Sequence, residues 1–554
     1  MGEIPIVVFF TKKSITFVPV MLKNRMRKCQ ILFVLACLLT CADVFAEGGI
    51  RLVDSLTYRV EAQATVGGGD HNPLWLNANR YGLSSLKNCN GYLRASLERP
   101  LSVDSERKWG IGYGVDMAKV FGYTSQFVLQ QAYIEARWLK GALTVGSKQH
   151  PLELKNAELS SGSQTLGINA RPVPMVRLSL PNYWALPFTK GWVSIKGHIA
   201  YGKTTDDKWQ KEFTGLRTRY TEGSWLHTKA AYIKIGNSYR FMPVSFEIGL
   251  EMAAQFGGRS HLFENTGERV IQNEGGIKGM WHALIPGGGD STDGDAYQNA
   301  SGNQLGSWVM RLNFDYDSWY LGVYADQFFE DHSMLTHLGN DGYGTGDQWN
   351  TMITKRYFVY SFKDWQLGLD LRLKNATWLN NIVLEYITTK YQGGPVYHDH
   401  TPAISDQISG RDNYYNHHLF TGWQHWGQVM GNPLYLSPLY NEDGVIRVKN
   451  NRFTAWHIGL AGDPNYYLHY RVMATFQKGY GTYDEPYWDP KKTFSMLAEA
   501  TYHFPDYHKL KGWSIRGAVA FDTGKLYGKN FGCQVTIAKT GLLNFKKSRV
   551  KDEY

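Results

Sequence analysis

Apolar and polar residues alternate along most of the chain after about residue 56. From Val244 to Phe256 almost every second residue is apolar, and the residues between them include Glu247, Glu251 and Gln255. A period of two places the apolar side chains on one face of a β-strand and the polar ones on the other. A tilted strand of this length can cross the hydrocarbon core of a membrane. The pattern therefore predicts strands with one apolar and one polar face.

The same alternation recurs until about residue 540, and no linker interrupts it. It is clear in residues 58–66, 308–316, 365–374, 466–477, 514–522 and 531–537. Allowing roughly one strand per 25–30 residues gives about 18 strands, and bacterial barrels favour even numbers. A soluble β-sandwich shows a similar alternation, but the long strands and the continuous pattern favour a barrel. We predict an all-β fold, a transmembrane antiparallel up-and-down β-barrel over residues 56–540.

Long connections are expected where the alternation stops. They fall near residues 257–306, 331–357, 391–452 and 478–492, which are rich in Gly, Asn, Asp, His and Tyr. In bacterial barrels the long loops face the outside of the cell and the short turns face the periplasm, so we expect these segments to be extracellular. Aromatic residues recur at predicted strand ends, as interfacial girdles require: Tyr58, Trp109, Trp192, Trp308, Trp365 and Phe476.

The N-terminal region has the features of an export signal. Basic residues in 23–28 precede the apolar segment 31–39, and Ala46 is a small residue suited to cleavage before Glu47. Met21 or Met26 is also suited as the initiator, in which case residues 1–20 are not part of the translated protein. The sequence thus predicts a signal peptide in 1–46, a short N-terminal segment in 47–55, the barrel in 56–540 and a polar tail in 541–554.

The composition agrees with an exported barrel and is unlike that of a disordered chain or a helical membrane protein. Aromatic residues make up 14% of the chain, charged residues 19%, and the mean hydropathy is −0.36. No run of about 18 apolar residues follows the signal segment, which excludes a helical membrane span. Removing the six basic and two acidic residues of 1–46 lowers the formal charge from +10 to +6, which suits an anionic glycan or lipopolysaccharide but is common in proteins. Cys89 and Cys533 remain and can pair in an oxidising compartment.

One segment combines the residue types that carbohydrate binding requires. Aromatic faces cover the C–H surfaces of sugars, while amides, carboxylates and arginine bond to hydroxyl and acidic groups. The candidate carbohydrate-binding residues are Arg411, Asp412, Asn413, Tyr414, Tyr415, Asn416, His417, Trp423 and Trp426, together with Glu330 and Asp331. The alternative is that these residues pack and hydrogen-bond a long loop that folds into the barrel lumen.

The sequence gives weaker indications of other chemistry. Histidines crowd in the same region, at His398, His400, His417, His418 and His425. No cysteine or fixed carboxylate accompanies them, so no metal or other cofactor is expected. Glu330 with Asp331, and Glu247 with Glu251, could act as the paired carboxylates of a glycosidase, yet barrels carry such pairs by construction. Catalytic motifs and a basic stripe for nucleic acid are absent, so neither an enzyme nor a nucleic-acid partner is expected.

Charged residues of both signs occupy the polar positions of the predicted strands. They include Arg59, Glu61, Arg94, Glu98, Asp116, Glu247, Glu251, Arg311, Asp315, Asp370, Arg372, Arg471 and Arg516. Opposite charges can neutralise each other where water is scarce. We therefore expect a charge network that fills the lumen rather than an open path for ions.

Several segments resemble, in order, the capsule-assembly Wzi family. Residues 71–82 read His-Asn-Pro-Leu-Trp-Leu-Asn-Ala-Asn-Arg-Tyr-Gly, and residues 169–175 read Asn-Ala-Arg-Pro-Val-Pro-Met. The most distinctive segment is Asp-Asn-Tyr-Tyr-Asn-His at 412–417, followed by Gly-Asn-Pro-Leu at 431–434. Shorter similarities occur at 187–192, 226–236, 329–333 and 385–390. Together the segments span roughly residues 56–540.

The resemblance implies an 18-stranded outer-membrane barrel of a Gram-negative bacterium, a lectin-like anchor that fixes capsular polysaccharide or exopolysaccharide to the cell surface without catalysis. Further expected partners are outer-membrane lipid, lipopolysaccharide and the barrel-assembly machinery, and the barrel is expected to be a monomer. The glycan itself does not follow from the resemblance, because the better understood members belong to a capsule system whose polymer need not be the one here. A porin or substrate-specific channel is the alternative, since long loops and a polar lumen permit it.

Overall fold

The polypeptide forms a closed β-barrel. The computed structural model describes residues 55–237, 239–265, 267–286, 302–330, 341–343, 346–354, 363–397, 408–507 and 509–543. Eighteen antiparallel strands form one sheet in which each barrel strand pairs with the next, and the first pairs with the last through Leu56 and Leu543. The prediction of an 18-stranded up-and-down barrel is therefore confirmed.

The barrel strands are numbered in chain order. They are β1 (Leu56–Gly69), β2 (Cys89–Arg99), β3 (Trp109–Phe121), β4 (Phe127–Trp138), β5 (Gly141–Ser147), β6 (Met175–Ala185), β7 (Val193–Lys203), β8 (Trp225–Ile235), β9 (Val244–Phe256), β10 (Asn303–Asp315), β11 (Trp319–Glu330), β12 (Trp365–Leu373), β13 (Asn381–Thr388), β14 (Phe453–Asn465), β15 (Leu468–Gly481), β16 (Pro486–His503), β17 (Trp513–Gly524) and β18 (Asn530–Leu543). The last strand continues past the predicted boundary at residue 540.

Smaller elements lie in the connections. The α-helices are α1 (Leu74–Asn77), α2 (Asp207–Thr214) and α3 (Gly276–Leu284), and 3-10 turns occupy Leu101–Asp104, Pro187–Thr189, Gly346–Gln348 and Pro438–Tyr440. One small sheet comprises Tyr220–Glu222, Arg259–Glu264 and Gly267–Gln272; two-stranded sheets pair Asp341–Tyr343 with Met352–Thr354, Gly393–Tyr397 with Ile408–Arg411, and Gln424–His425 with Gln428–Val429. Across the described residues, no helix is long and apolar enough to cross a membrane.

The two ends of the barrel differ in the length of their connections. At the end where β1 finishes, which we call the outer end, lie the predicted long connections that follow β9, β11 and β13. At the inner end, hairpins turn within residues 139–140 and 466–467. Residues 148–174 form a further long outer connection that the sequence did not predict. The long connection predicted at 478–492 is wrong, because β15 and β16 continue there as a hairpin that turns at residues 482–485.

Successive residues of each strand face opposite sides of the barrel wall, as predicted. In β1, Val60 and Val66 are 55% and 64% exposed, whereas Glu61 and Thr65 are each 1% exposed. An apolar exterior and a polar interior are what a barrel in lipid requires. The barrel therefore spans a membrane.

Aromatic residues follow the predicted girdle only in part. Trp109 and Trp138 stack on the exterior at the inner end, with ring centroids 5.8 Å apart, as an interfacial belt requires. Trp308 and Phe476, which the sequence placed at strand ends, lie within β10 and β15.

Three outer connections fold back into the lumen and fill it. We call them the plug, which consists of residues 70–88, 148–174 and 408–452. Leu74 N–H donates to the carboxylate of Asp522 on β17 at 3.1 Å, and the indole N–H of Trp75 donates to Thr475 Oγ1 on β15 at 3.1 Å. Both plug residues belong to the main apolar cluster of the molecule. The hydrophobic core therefore lies inside the barrel.

Inward-facing carboxylates attach the plug to the barrel wall. Glu385 on β13 accepts hydrogen bonds from Ser160 Oγ and Ser161 N–H of the plug, both at 2.8 Å. Lys155 of the plug pairs with Asp326 on β11, and the two side chains are 2% and 0% exposed. Arg311 Nη2 lies 2.7 Å from Asp370 Oδ2 across the wall, which confirms the predicted lumenal charge network at this pair.

The two cysteines do not pair. Val66 of β1 lies opposite Cys89 on one neighbouring strand and opposite Cys533 on the other. Two strand spacings of about 4.8 Å each separate the cysteines, whereas a disulfide needs Cα atoms within about 7 Å. Both side chains are free and exposed on the exterior.

Replacing Lys155 with alanine should destabilise the protein by about 3–5 kcal/mol, because the buried Asp326 carboxylate loses its cation. Urea unfolding of the purified barrel in detergent, followed by circular dichroism, measures this loss. Lys140→Ala, which removes an exposed lysine from the β4–β5 turn, is the matched control and should leave the midpoint unchanged. Equal midpoints for Lys155→Ala and the unsubstituted protein would contradict the role of this ion pair.

Candidate functional site

The aromatic residues predicted to bind carbohydrate lie inside the plug. Tyr414, Tyr415 and Trp423 are at most 1% exposed. Tyr415 Oη donates to the carbonyl of Gln164 and accepts from Asn432 N–H at 3.0 Å. These three rings therefore pack and hydrogen-bond the plug, as the alternative interpretation of the sequence holds, and their contact with a glycan stays a prediction.

The polar candidates beside them also bond to the protein. The carboxylate of Glu330 accepts the backbone N–H of Tyr415. Asn416 Nδ2 donates to the carbonyl of Val448 at 2.9 Å, and its Oδ1 accepts the N–H of the same residue. Asp412 is buried as well. These interactions fix the fold of the connection between β13 and β14.

Two candidates fall partly or wholly outside the described residues. Arg411 ends the short strand Ile408–Arg411, whose backbone pairs with Gly393–Tyr397; its side chain lies outside the described part of the structure. Asp331 lies outside the described residues, as do His398 and His400. Within the described residues, no three of His, Cys, Asp and Glu come together in a group that could hold a metal.

Asn413, His417 and Trp426 are the candidates that are only half-buried. Asn413 Nδ2 donates to Asp484 Oδ2 at 3.1 Å, next to the turn of the β15–β16 hairpin. The ring of His417 stacks on His418 with centroids 4.3 Å apart. Among the described candidates, these three side chains are therefore the ones that remain partly exposed to solvent.

Trp426 and Arg171 form a cation–π pair at the outer end. The Arg171 guanidinium lies 4.4 Å from the ring centroid. It also donates to Thr124 Oγ1 at 3.1 Å and Ser125 Oγ at 3.2 Å, in the connection between β3 and β4. Burial lowers the pKa of Arg171 to about 10, so the side chain is cationic at neutral pH. The pair places a permanent positive charge beside an aromatic ring.

The backbone of Trp426 is held in a strained conformation. Its φ is +56°, a left-handed value that is uncommon for a bulky residue and costs about 1–3 kcal/mol. The backbone N–H donates to Asp206 Oδ2 at 3.1 Å, and the indole N–H donates to Thr205 Oγ1 at 3.3 Å. Strain of this kind persists only where the surroundings fix it, and it often marks a functional position.

His425 fixes both neighbours of Trp426. Its Nε2 accepts the N–H of Thr205 at 3.2 Å, so the ring is neutral with its proton on Nδ1, which donates to the carbonyl of Arg171 at 2.8 Å. Burial lowers the pKa of His425 and outweighs the opposing effect of Asp206. A neutral histidine thus links two parts of the plug, the connection 408–452 and the Asn-Ala-Arg-Pro segment within 148–174.

A cavity of about 140 Å³ adjoins Arg171, between the plug and the wall formed by β5–β8. Its charged lining residues are Lys148, Glu153, Arg171 and Arg177. Among the described residues, the guanidinium of Arg177 has no hydrogen-bond partner. A cavity of this size holds several water molecules or one small polar group. Lys148 pairs with Glu135 at 2.6 Å, so Arg171 and Arg177 are the cavity cations that form no ion pair among the described residues.

Sequence reasoning missed Arg171, Thr205 and Asp206 as neighbours of Trp426. Arg171 belongs to a segment that resembles the family, but nothing in that segment indicates a partner about 250 residues away. Thr205 and Asp206 precede α2 and carry no distinctive motif. Only the folded plug brings these residues together.

Acidification should disturb the surroundings of Trp426. A histidine whose pKa is lower in the folded protein than in the unfolded chain stabilises the fold fully at pH values above its unfolded pKa of about 6.5. This stabilisation declines as the pH falls below that value. We expect the ¹⁹F signal of Trp426, in protein labelled with 5-fluorotryptophan and assigned with Trp426→Phe, to shift only below about pH 6.5.

In His425→Gln the same signal should not respond to pH in this range, because the amide does not titrate. A transition centred above about pH 6.5, or an equal transition in the variant, would show that His425 does not control this site.

Comparison with known proteins supports the fold and identifies the family. Residues 57–356, more than half of the chain, match the family model "Capsule assembly protein Wzi". No curated protein sequence matches the chain. The solved structure of Wzi from Escherichia coli, an outer membrane protein involved in group 1 capsule assembly and a carbohydrate-binding β-barrel, is similar with a TM-score of 0.52 and 11% identity, over 95% of this chain and 90% of that one.

Two other solved structures are less similar. OprD from Pseudomonas aeruginosa has a TM-score of 0.43 at 9% identity and covers 88% of this chain and 95% of its own. OccAB4 from Acinetobacter baumannii has a TM-score of 0.41 at 9% identity and covers 89% and 99%. The closed barrel and the family match together confirm the predicted outer-membrane location. Because the family model matches more than half of the chain, the chain belongs to the capsule assembly protein Wzi family.

Proposed function

We propose that the protein holds a capsular polysaccharide or exopolysaccharide at the cell surface, as a lectin-like anchor without catalytic activity. The observation that carries the proposal is the Trp426–Arg171 pair at the outer end of a barrel whose lumen is filled by the plug. A polymer outside the cell meets the barrel at this end.

The chemistry of the pair suits an acidic polysaccharide. An indole ring offers an apolar face to the C–H surface of a sugar, and a guanidinium bonds to a carboxylate in a bidentate geometry. The adjacent cavity adds Arg177 as a further cation. Because the backbone and indole N–H of Trp426 are already bonded, its binding to a sugar loses little conformational entropy.

The filled lumen favours an anchor over a channel. Porins keep water in the lumen, whereas here the lumen holds Tyr415 and Tyr435 of the plug, each 0% exposed. The Wzi of Escherichia coli, which has a similar fold, is a carbohydrate-binding barrel, and the same role is proposed for this chain.

The proposal includes how the barrel reaches the membrane. Residues 1–46 serve as the signal peptide, and the barrel-assembly machinery inserts the chain. The barrel acts as a monomer, as the resemblance to the family implies. No metal or other cofactor is required.

Trp426→Ala should weaken binding of the host's own polymer at least tenfold, equivalent to about 1.4 kcal/mol, because the stacking face is lost. Co-sedimentation of the refolded barrel with the polymer measures the affinity. Arg171→Gln should weaken binding of an acidic polymer to a similar extent. Trp378→Ala is the matched control, since Trp378 is 72% exposed but lies at the inner end. Equal losses for Trp378→Ala and Trp426→Ala would refute the outer site.

Deleting the gene should leave polymer synthesis intact and release polymer into the medium, because only retention is lost. The fraction of polymer that sediments with cells measures this effect.

Liposomes that contain the purified protein should not swell in solutions of small sugars, since the plug fills the lumen. Solute-dependent swelling together with unchanged cell-bound polymer would support a channel instead.

A further inference from the structure

The outer halves of four consecutive strands, β15–β18, carry two rows of side chains that face away from the lumen. The phenylalanine row consists of Phe476, Phe494, Phe521 and Phe531. The lysine row, nearer the outer end, consists of Lys478 on β15, Lys492 on β16, and Lys525 and Lys529 in the turn that joins β17 to β18. The intervening residues Gln477, Thr493 and Asn530 are buried on the lumenal side. The phenylalanine row, Lys478 and Lys492 therefore point toward the surrounding membrane, and Lys525 and Lys529 are exposed at the adjoining turn.

The phenylalanine row forms a continuous apolar surface. Phe476 lies opposite Phe494, and Phe521 lies opposite Phe531, in the strand register. The ring centroids of Phe476 and Phe494 are 4.4 Å apart, and those of Phe494 and Phe521 are 5.7 Å apart. Phe476 and Phe531 are more than half exposed. Side chains of this kind on the barrel exterior contact the acyl chains of lipids.

The lysine row carries positive charge that no carboxylate in the described part of the chain pairs with. Lys478 and Lys492 are direct cross-strand partners, and like charges in that position destabilise a sheet. The backbone N–H of Lys525 donates to the carbonyl of Lys492 at 2.9 Å, which brings a third lysine to the same level. Among the described residues, none of the four forms an ion pair with a carboxylate. The nearby Asp70 lies against the backbone of Gly528 instead.

We infer that the two rows form a binding site for lipopolysaccharide of the outer leaflet, with its phosphate groups on the lysine row and its acyl chains on the phenylalanine row. The lysine row lies nearer the outer end of the barrel and the phenylalanine row lies nearer its middle. This order matches that of head group and acyl chain in the leaflet. Phosphate charge offsets the repulsion between Lys478 and Lys492. A soluble phosphate would contact only the lysine row, so the phenylalanine row selects the lipid.

Charge reversal tests the site directly. We expect Lys478→Glu/Lys492→Glu, refolded in detergent free of lipopolysaccharide, to bind added phosphorylated lipopolysaccharide at least tenfold more weakly than the unsubstituted protein, measured by native mass spectrometry. Lys119→Glu/Lys203→Glu makes the same charge change at exposed lysines on β3 and β7 and should lose less than threefold. An equal loss in both variants would mean that only net charge matters and would overturn the inference.

Two further probes separate the sources of phosphate. Dephosphorylated lipopolysaccharide should bind at least tenfold more weakly than the phosphorylated form, because the lysine row loses its counter-charge. Inorganic phosphate should not displace the lipopolysaccharide when it is added at the same concentration at which lipopolysaccharide saturates the site. Equal binding of the dephosphorylated lipid, or full competition by inorganic phosphate, would show that these rows are not a site for the lipid.

A neutral variant keeps the test valid if charge reversal prevents folding. Lys478→Gln/Lys492→Gln removes the cross-strand repulsion, so its melting temperature in lipid-free detergent should be no lower than that of the unsubstituted protein. Adding lipopolysaccharide should raise the melting temperature of the unsubstituted protein more than that of the variant. An equal rise in both would contradict binding at the lysine row.

Discussion

Carboxylates on the lumenal face of a barrel need hydrogen-bond partners once water is excluded, and this requirement governs the rest of the structure. Glu385 obtains its partners from Ser160 and Ser161 of the plug, and Asp326 obtains its cation from Lys155. The polar wall and the plug therefore satisfy each other. The plug in turn fixes the position of Trp426, so the outer site depends on interactions deep inside the barrel.

The strands could be predicted from the sequence because lipid and lumen impose opposite polarity on successive residues. This rule applies only within the membrane. The β15–β16 hairpin extends beyond it, where Lys491, Asp489 and Trp488 no longer alternate in the expected way. The sequence of that hairpin therefore had the composition of a loop, although its backbone continues the sheet.

The candidate site was predicted less completely, because the sequence of a long connection does not show whether its aromatic residues contact a sugar or pack against one another. Tyr415 and Trp423 are buried through bonds to the carbonyls of Gln164 and Thr165, 251 and 258 residues away. No local pattern reveals such contacts. The segments that resemble the family meet here: Asn169 bonds to Asn79 N–H and to the carbonyl of Val429. Their similarity reflects the packing of the plug as well as any surface role.

The central claim is that polymer is held at the outer face, above a filled lumen. A structure of the detergent-solubilised barrel with an oligosaccharide of the host's own polymer, determined by crystallography or cryo-electron microscopy, tests it most directly. The account predicts sugar density against Trp426 and Arg171, with the plug unmoved. Sugar density running through the lumen past a displaced plug would contradict it.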